Sequence, residues 1–455
     1  MPEPHVNGAG VSSATAPRLV VIYKNVAELK PDPKNARRHS AKHIKQIAES
    51  IRRLGFNVPI LIDSFGNVIA GHARLQAAKR LGVSEVPTIC LDDLTDAQIR
   101  VFKLADNRLC EIGEWNDTLL AEQLQELLEL NLDFNVDITG FEMPHIDRLV
   151  TGLSTPTEVP DPADELPEIS KTLSVSKLGD VWILDKHRLI CGDARDPQSF
   201  QELMKGELAR LTITDPPFNV KIDGHASGRG ATKHEEFVMA SGEMSSDEFI
   251  AFLSQALSLV AAHMHNGAFA YLFIDWRHSH ELLVAGKKTF SEPKNLCVWT
   301  KDRAGLGSLY RSQHELIFLF KKGSVAHINN IQLGLFGRNR SNVWSYPSPV
   351  SFGRSVDEGE LLTLHPTVKP VALVADAILD CTRRGDVVLD AFLGSGTAIV
   401  AAERAGRVCR GIELDPRYVD LAIRRWQALT GKTARHATSG STFAELEQEL
   451  NNVRL

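Results

Sequence analysis

The feature that most constrains the fold is residues 385–415, GDVVLDAFLGSGTAIVAAERAGRVCRGIELD. Its pattern predicts a strand, a glycine-rich turn, a helix and a second strand that ends in an acid. Gly394 and Gly396 allow a ligand to approach the backbone at a helix start, and Glu413 can accept two hydrogen bonds from ribose hydroxyls. These features favour a nucleoside site, with a purely structural turn as the alternative. Position 399 is Ile rather than a third glycine and no GK[ST] follows, so NAD and nucleoside triphosphates fit less well.

A second stretch, LTITDPPFNV at 211–220, reads as a strand that stops abruptly. Pro216 and Pro217 remove two backbone donors and fix two φ angles, so the chain must turn there. Asp215 and Phe218 are thereby held at the carboxyl end of a strand, where open α/β sheets bind ligands. An ordinary strand-ending turn is the alternative.

Organisation along the chain predicts two folded parts. In residues 169–431 short apolar strands alternate with helix-length segments, which favours a single α/β domain. Residues 18–109 read as a compact α+β module with a hairpin and two helices. The segment 110–168 reads as one acidic helix and a linker, residues 1–17 as a disordered N-terminus, and 432–455 as a polar tail.

Composition narrows the classes of function. No apolar run approaches the length needed to span a bilayer, and six scattered cysteines without ligand spacing argue against a zinc site and for a reducing cytoplasm. The net charge of -6 is unevenly spread, since residues 110–168 hold 15 acidic side chains and one basic. Residues 275–340 carry 11 Lys and Arg against 5 Asp and Glu, interleaved with aromatic rings. That mixture suits contact with nucleic acid, with a solvated basic face as the alternative.

Two further motifs accompany these stretches. LHPTVKP places His365 and Lys369 around a proline turn before a helix, and a simple helix cap is the alternative. GDARD places Asp193 after another short strand, where an acid can reach the amino group of a purine, unless it forms only a surface turn.

Taken in order, GDARD, TDPPF, HPTVKP, DAFLGSGT and GIELD resemble the amino-methyltransferases of DNA in which the catalytic motif precedes the cofactor motif. The resemblance covers about residues 180–430 and implies a Rossmann-like methyltransferase domain with a mainly parallel sheet. It implies S-adenosylmethionine as cofactor. The cofactor-binding residues that it implies are Asp193, Ala194, Thr214, His365, Lys369, Asp390, Phe392, Gly394, Ser395, Gly396, Thr397 and Glu413.

The resemblance assigns the catalytic step to Asp215, Pro216, Pro217 and Phe218, with Phe218 where the family often carries tyrosine. An exocyclic amine is a poor nucleophile inside a stacked duplex, so the base must flip out. Asp215 and the carbonyl of Pro216 then accept its two amino hydrogens while Phe218 stacks on the ring. Aspartate in the first motif position favours adenine N6, and cytosine N4 is the alternative.

The basic and aromatic segment between the two motifs is predicted to contact DNA. Its candidates are Arg303, Tyr310 and Arg311. The segment HASGRGATKHEE, 225–236, reads equally as a loop that closes over DNA or as a flexible insertion.

Residues 20–109 resemble the ParB-like N-terminal domain of chromosome-partition proteins. That family carries GERR where this chain has GHAR, which keeps Gly71 and Arg74 but puts nucleotide binding in doubt. Phosphate contact through Arg37, Arg38 and Arg74 and a role in protein docking stay open.

These observations together predict a cytoplasmic, site-specific DNA adenine N6 methyltransferase of the restriction-modification kind, with DNA as partner and no membrane. A ParB-like DNA-binding regulator whose methyltransferase half only senses the cofactor is the competing interpretation. A homodimer and a separate partner nuclease stay open.

Overall fold

The computed structural model describes residues 19–130, 132–152, 162–164, 174–220, 242–302, 304, 309–331, 340–348 and 368–452. The chain divides into two compact units after Met143, and each is described by itself. No helix within the described residues is long and apolar enough to cross a membrane.

The first unit is a small four-stranded sheet with helices. Its elements are β1 Val21–Asn25, α1 Ala41–Leu54, β2 Ile60–Ile62, β3 Val68–Ala70, α2 His72–Leu81, β4 Glu85–Cys90, α3 Asp96–Ile112 and α4 Asp117–Glu129. The strand order is β1-β4-β2-β3, in which only β2 and β4 run parallel. The hairpin predicted from the sequence is β2–β3, and α2 closes on Gly82 in the left-handed conformation, as predicted.

The second unit is built on one ten-stranded sheet. Its elements are α5 Met143–Thr151, β5 Val181–Leu184, β6 His187–Cys191, α6 Pro197–Met204, β7 Ala209–Thr214, α7 Ser246–Ala262, β8 Met264–Ile274, α8 Ser279–Thr289, β9 Glu292–Thr300, β10 His314–Lys321, β11 Val343–Ser345, α9 Val371–Cys381, β12 Val387–Asp390, α10 Thr397–Arg404, β13 Val408–Glu413, α11 Pro416–Thr430, β14 Arg435–His436 and α12 Phe443–Asn452. The strand order is β11-β9-β10-β8-β7-β12-β13-β6-β5-β14.

The centre of this sheet is parallel, and antiparallel pairs lie on both sides of it. Strands β8, β7, β12, β13 and β6 all run the same way, whereas β10 is antiparallel to both β8 and β9. Two buried apolar clusters accompany the sheet, and the side chain of Phe218 packs against both. The predicted α/β fold class with a mainly parallel core and a preceding α+β module is therefore confirmed.

Local sequence explains where the helices begin. Ser245 and Glu248 form a reciprocal capping box at α7, and Asp415 caps α11 with Pro416 as its first residue. At α10 the cap is Gly396 with φ 84°, where an added Cβ would lie 2.7 Å from the Cβ of Ala422. Glycine is required there by both the backbone and the close approach of α11.

The segment assigned from sequence to an acidic helix and linker holds two helices, α4 and α5. Apart from its first residue, α5 belongs to the second unit. The buried carboxylate of Asp147 pairs there with Arg384 at 2.7 Å and with Arg407 at 2.9 Å. Since Arg407 is fully buried, this ion pair fixes α5 to the body of the unit.

Candidate active site

The sheet has a switch point between β7 and β12. From β7 the chain continues through α7 to β8 on one side, and from β12 it continues through α10 to β13 on the other. The carboxyl ends of β7 and β12 are therefore neighbours with diverging connections, which is where open α/β sheets form a ligand crevice. The DPPF motif follows β7 and the glycine-rich loop follows β12, so the fold brings the two together.

A direct bond joins these two strand ends. The hydroxyl of Thr214 donates to Oδ1 of Asp390 at 2.7 Å, and the backbone N–H of Phe392 donates to that same oxygen at 3.1 Å. Burial raises the pKa of Asp390 to about 7, although these hydrogen bonds oppose the rise. The bond between Thr214 and Asp390 thus joins the DPPF turn to the start of the glycine-rich loop. We call this turn, residues 215–218, the catalytic corner.

Beside the glycine loop lies Glu413, at the end of β13. Its Oε2 accepts the N–H of Gly394 at 2.7 Å and its Oε1 accepts the N–H of Asp415 at 2.8 Å. Burial raises the pKa of Glu413 to about 7 against these backbone donors. Gly394 has φ 54°, so the loop makes a tight turn there. The carboxylate of Glu413 lies at this turn, just before α10 begins.

Asp193 follows β6, the strand that lies beside β13 in the sheet. Its carboxylate accepts the Nε–H of Arg195 at 3.1 Å and a second guanidinium N–H at 2.7 Å, and burial opposes the lowering of its pKa by these contacts. The guanidinium of Arg195 lies 5.4 Å from the ring centre of Phe252, which in turn neighbours Phe392 at 6.1 Å. Ala194 is buried in the apolar cluster under this corner.

The two polar side chains of the loop contact a buried arginine. Ser395 and Thr397 are buried, and both accept hydrogen bonds from the guanidinium of Arg425, at 3.3 Å and 2.9 Å. Arg425 is itself buried on α11. The sequence prediction missed it, because an arginine within the run AIRRWQ is typical of a solvated helix face.

At the catalytic corner the carboxylate of Asp215 is held on one side only. Its Oδ2 lies 2.5 Å from Nζ of Lys369, and its Oδ1 is shielded from solvent with no hydrogen-bond partner among the described residues. Lys369 also lies 3.1 Å from a carboxylate oxygen of Glu315 and 5.6 Å from the ring centre of Phe218. Pro216 is buried and Pro217 half-buried, so the backbone around the motif is fixed.

Two residues of this corner were missed from the sequence. Glu315 is buried at the start of β10 and pairs through its Oε1 with Lys301 at 2.6 Å. Asn219, with φ 55°, follows the motif, and its amide bonds to the backbone of Gly242 and Met244. A charged residue opening an apolar strand, and an asparagine after DPPF, are the only signals the sequence offers for them.

The same edge of the sheet also carries exposed groups suited to DNA. Asp275 and Trp276 follow β8, and in the antiparallel register of β8 and β10 they come just beyond the pair Ile274 and Leu316. Trp276 is 55% exposed, and the guanidinium of Arg277 lies 5.0 Å from its ring centre. Tyr310 is exposed and Arg311 donates to the carbonyl of Ala304, whereas Arg303 and His365 lie outside the described residues, as does 225–236.

In the first unit, the GHAR segment opens α2. Gly71 has φ 98°, and the buried ring of His72 accepts the N–H of Asp32 at 3.2 Å. Nε of Arg74 has no hydrogen-bond partner among the described residues, and burial lowers the pKa of this guanidinium. Arg37 contacts Asn107 at 3.0 Å.

The fold and the crevice together define a Rossmann-like α/β unit in which a glycine-rich loop lies beside a carboxylate corner. Comparison with known families agrees. Residues 209–424 match the N6/N4 family described as DNA methylase, residues 15–108 match the ParB N-terminal domain, and residues 118–178 match the ParB-methyltransferase HTH domain. The chain thus carries an N6/N4 DNA methylase domain at 209–424 and an N-terminal ParB-like domain, as predicted. The cofactor of this methylase domain is S-adenosylmethionine, also as predicted.

Individual relatives match parts of the chain. The ParB-like nuclease domain-containing protein YnaK of Escherichia coli is 44% identical over 18% of this chain and 93% of its own length. The type II methyltransferase M.ScaI of Streptomyces caespitosus is 37% identical over 20% of this chain and 30% of its own length. The crystal structure of an M1.HpyAVI complex with S-adenosylmethionine covers 52% of this chain and 97% of its own, with a TM-score of 0.39 and 20% identity. The chain thus spans less than a third of the length of M.ScaI.

Proposed function

We propose that this protein methylates the N6 amino group of adenine in DNA, acting in the cytoplasm with S-adenosylmethionine as methyl donor. The observation that carries the proposal is the buried Oδ1 of Asp215, which has no hydrogen-bond partner among the described residues. An unpaired buried carboxylate oxygen is costly unless a ligand satisfies it. An amino group of a flipped base supplies the missing donor.

The glycine loop and its neighbours fit the cofactor. Gly394 turns the backbone at φ 54°, Gly396 lets α11 pack closely on the loop, and Glu413 offers acceptor lone pairs beyond those used by its two N–H donors. Thr214 holds this loop against the catalytic corner. When bound, S-adenosylmethionine supplies a methyl group made electrophilic by its sulfonium charge.

The residues of the corner orient and activate the base. Asp215 Oδ1 accepts one amino hydrogen and the Pro216 carbonyl accepts the other, which draws the nitrogen towards tetrahedral geometry and exposes its lone pair. As the N–CH3 bond forms and the S–CH3 bond breaks, Asp215 is placed to take the proton that the nitrogen sheds. Phe218 stacks on the ring. Correct placement of the two reacting atoms supplies a large share of the acceleration, up to roughly 7–11 kcal/mol in favourable cases.

The preference for adenine rests on the aspartate in the first motif position. Both adenine N6 and cytosine N4 present two amino hydrogens to this pair of acceptors, so the geometry of the corner serves either base. The sequence preference therefore decides in favour of adenine.

The experiment incubates the full chain with unmodified DNA and S-adenosylmethionine carrying a labelled methyl group, then separates the nucleosides by mass. We expect label in N6-methyldeoxyadenosine and a fall of at least about a hundredfold in rate for Asp215→Ala with cofactor binding retained. Asp133→Ala is the matched control, because that carboxylate is 82% exposed and belongs to the first unit. Label in N4-methyldeoxycytidine would overturn the base assignment. Absence of label with the cofactor bound would support a regulator instead.

A further inference from the structure

Four charged side chains of alternating sign form a buried row at the catalytic corner. Lys369 lies between the carboxylates of Asp215 and Glu315, at 2.5 Å and 3.1 Å, and Glu315 is bound in turn by Lys301 at 2.6 Å. We call these four residues the charge row.

Each member comes from a different part of the fold. Asp215 follows β7, Lys301 follows β9 and Lys369 precedes α9, whereas Glu315 is the second residue of β10. Because β10 runs antiparallel to β8, its amino end lies at the edge where the parallel strands have their carboxyl ends. The strand order therefore brings the four residues together. The charge row extends from Asp215 in the crevice to the partly exposed ammonium of Lys301.

The row changes what Lys369 can do to Asp215. An ammonium paired with Asp215 alone in a buried site would hold that carboxylate firmly ionised and make it a weak proton acceptor. Glu315 competes for the same ammonium and adds negative charge behind it. Asp215 then keeps a basicity suited to accepting a proton near neutral pH.

We propose that Glu315 and Lys301 are positioning residues for methyl transfer, which through Lys369 set the basicity of Asp215 and keep its Oδ1 turned to the incoming amino group. This inference rests on the proposed function. Neither residue touches the substrate in this scheme, so both act through Asp215.

The ionisation of the two carboxylates agrees with this arrangement. Burial raises the pKa of Asp215 to about 6, with Lys369 opposing the rise and Glu315 adding to it. The pKa of Glu315 is lowered, because Lys369 and Lys301 together outweigh its burial. A proton entering the row therefore goes to Asp215. Among the described residues, the carboxylate of Asp390 is a further acidic group near Asp215, across the switch point.

The test is the pH dependence of single-turnover methyl transfer in Glu315→Gln and Lys301→Met. Removing Glu315 leaves Lys369 to Asp215 alone, so the acid limb of the profile is expected to move to lower pH and the maximal rate to fall. Removing Lys301 leaves excess negative charge near Asp215, so the limb is expected to move to higher pH. A purely structural role would not give shifts of opposite sign.

Lys294→Met is the matched control, since its ammonium pairs with Glu292 on the same strand at 2.9 Å, at the opposite edge of the sheet. The acid limb of the pH profile of Lys294→Met should coincide with that of the wild type. Cofactor affinity should be unchanged in every variant. If Glu315→Gln does not fold, Lys301→Met and Glu315→Asp carry the test, the latter restoring the wild-type limb in part. If the acid limbs of the Glu315 and Lys301 variants stay in place, or both move in the same direction, the inference is overturned while the proposed function stays intact. Absence of transfer by the wild-type protein overturns both.

Discussion

The carboxylate of Glu413 should make cofactor binding depend on pH. Burial raises its pKa to about 7, so the side chain gains a proton as the pH falls through neutrality. The role proposed for Glu413 needs acceptor oxygens for ribose hydroxyls, and protonation turns one of those oxygens into a donor. Affinity for S-adenosylmethionine is therefore expected to be close to its maximum at pH 8 and to decline as the pH falls through 7.

The size of the effect follows from that pKa. For a ligand that binds only the ionised form, the apparent Kd scales as one plus the ratio of protonated to ionised carboxylate, which is about 11 at pH 6 and about 1.1 at pH 8. The Kd should thus be about tenfold weaker at pH 6 than at pH 8. Glu413→Gln should abolish this ratio and weaken binding at pH 8 by roughly 1.5–3 kcal/mol, because one charged acceptor is lost.

Isothermal titration calorimetry at pH 6, 7 and 8 measures the ratio directly, and repeating it in buffers of different ionisation enthalpy counts the proton released at pH 6. The amino group of the ligand titrates in the same way with both proteins, so the comparison between them isolates the carboxylate. Asp420→Asn is the control, because burial also raises the pKa of that carboxylate while its two oxygens accept the N–H groups of Val175 and Ser176. A ratio of Kd values that survives in Glu413→Gln, or disappears only in Asp420→Asn, would refute the reasoning.

Two further predictions concern DNA binding and stability. Arg277→Ala should weaken DNA binding and reduce its salt dependence without changing cofactor affinity. The control Lys287→Ala removes an exposed charge near the far end of α8 and should change neither DNA binding nor cofactor affinity. Fluorescence anisotropy with labelled duplex at two salt concentrations measures both variants, and equal losses of DNA affinity would contradict the prediction. Asp147→Asn should lower the free energy of unfolding by about 3–5 kcal/mol, because it leaves the buried Arg407 uncompensated. Asp133→Asn should have almost no effect on urea denaturation, since Asp133 is 82% exposed.

The parallel core of the second unit could be predicted from sequence because each of its units has a clear local signal. Strands β6, β7, β12 and β13 are short runs of four to six residues, and α7 and α11 begin at recognisable caps. The motifs after β7, β12 and β13 could be placed on one edge by the rule for parallel strands alone. The local sequence pattern was sufficient where strands that follow each other in the chain also pair with each other in the sheet.

Side-chain partners distant in the chain could not be predicted in the same way. The ammonium of Lys369 contacts Asp215, which lies 154 residues earlier in the chain, and neither motif contains a signal for that pairing. Arg425 looked like a surface residue, yet it is buried against the glycine loop. Such contacts depend on which helix covers which loop, and nothing in the spacing of apolar residues encodes that choice.

Strand order accounts for the rest. In the sequence QHELIFLF, Glu315 is only a polar residue at the start of a strand. If β10 ran parallel to β8, its amino end would lie at the opposite edge, more than a strand length from Asp215. The antiparallel insertion of β10 between β8 and β9 instead carries the carboxylate to the catalytic edge, where Lys369 and Lys301 balance it. The two acids and two ammonium groups sum to zero charge, so the site can bury them together. A change in the direction of one strand thus supplies the second carboxylate that the proposed chemistry uses.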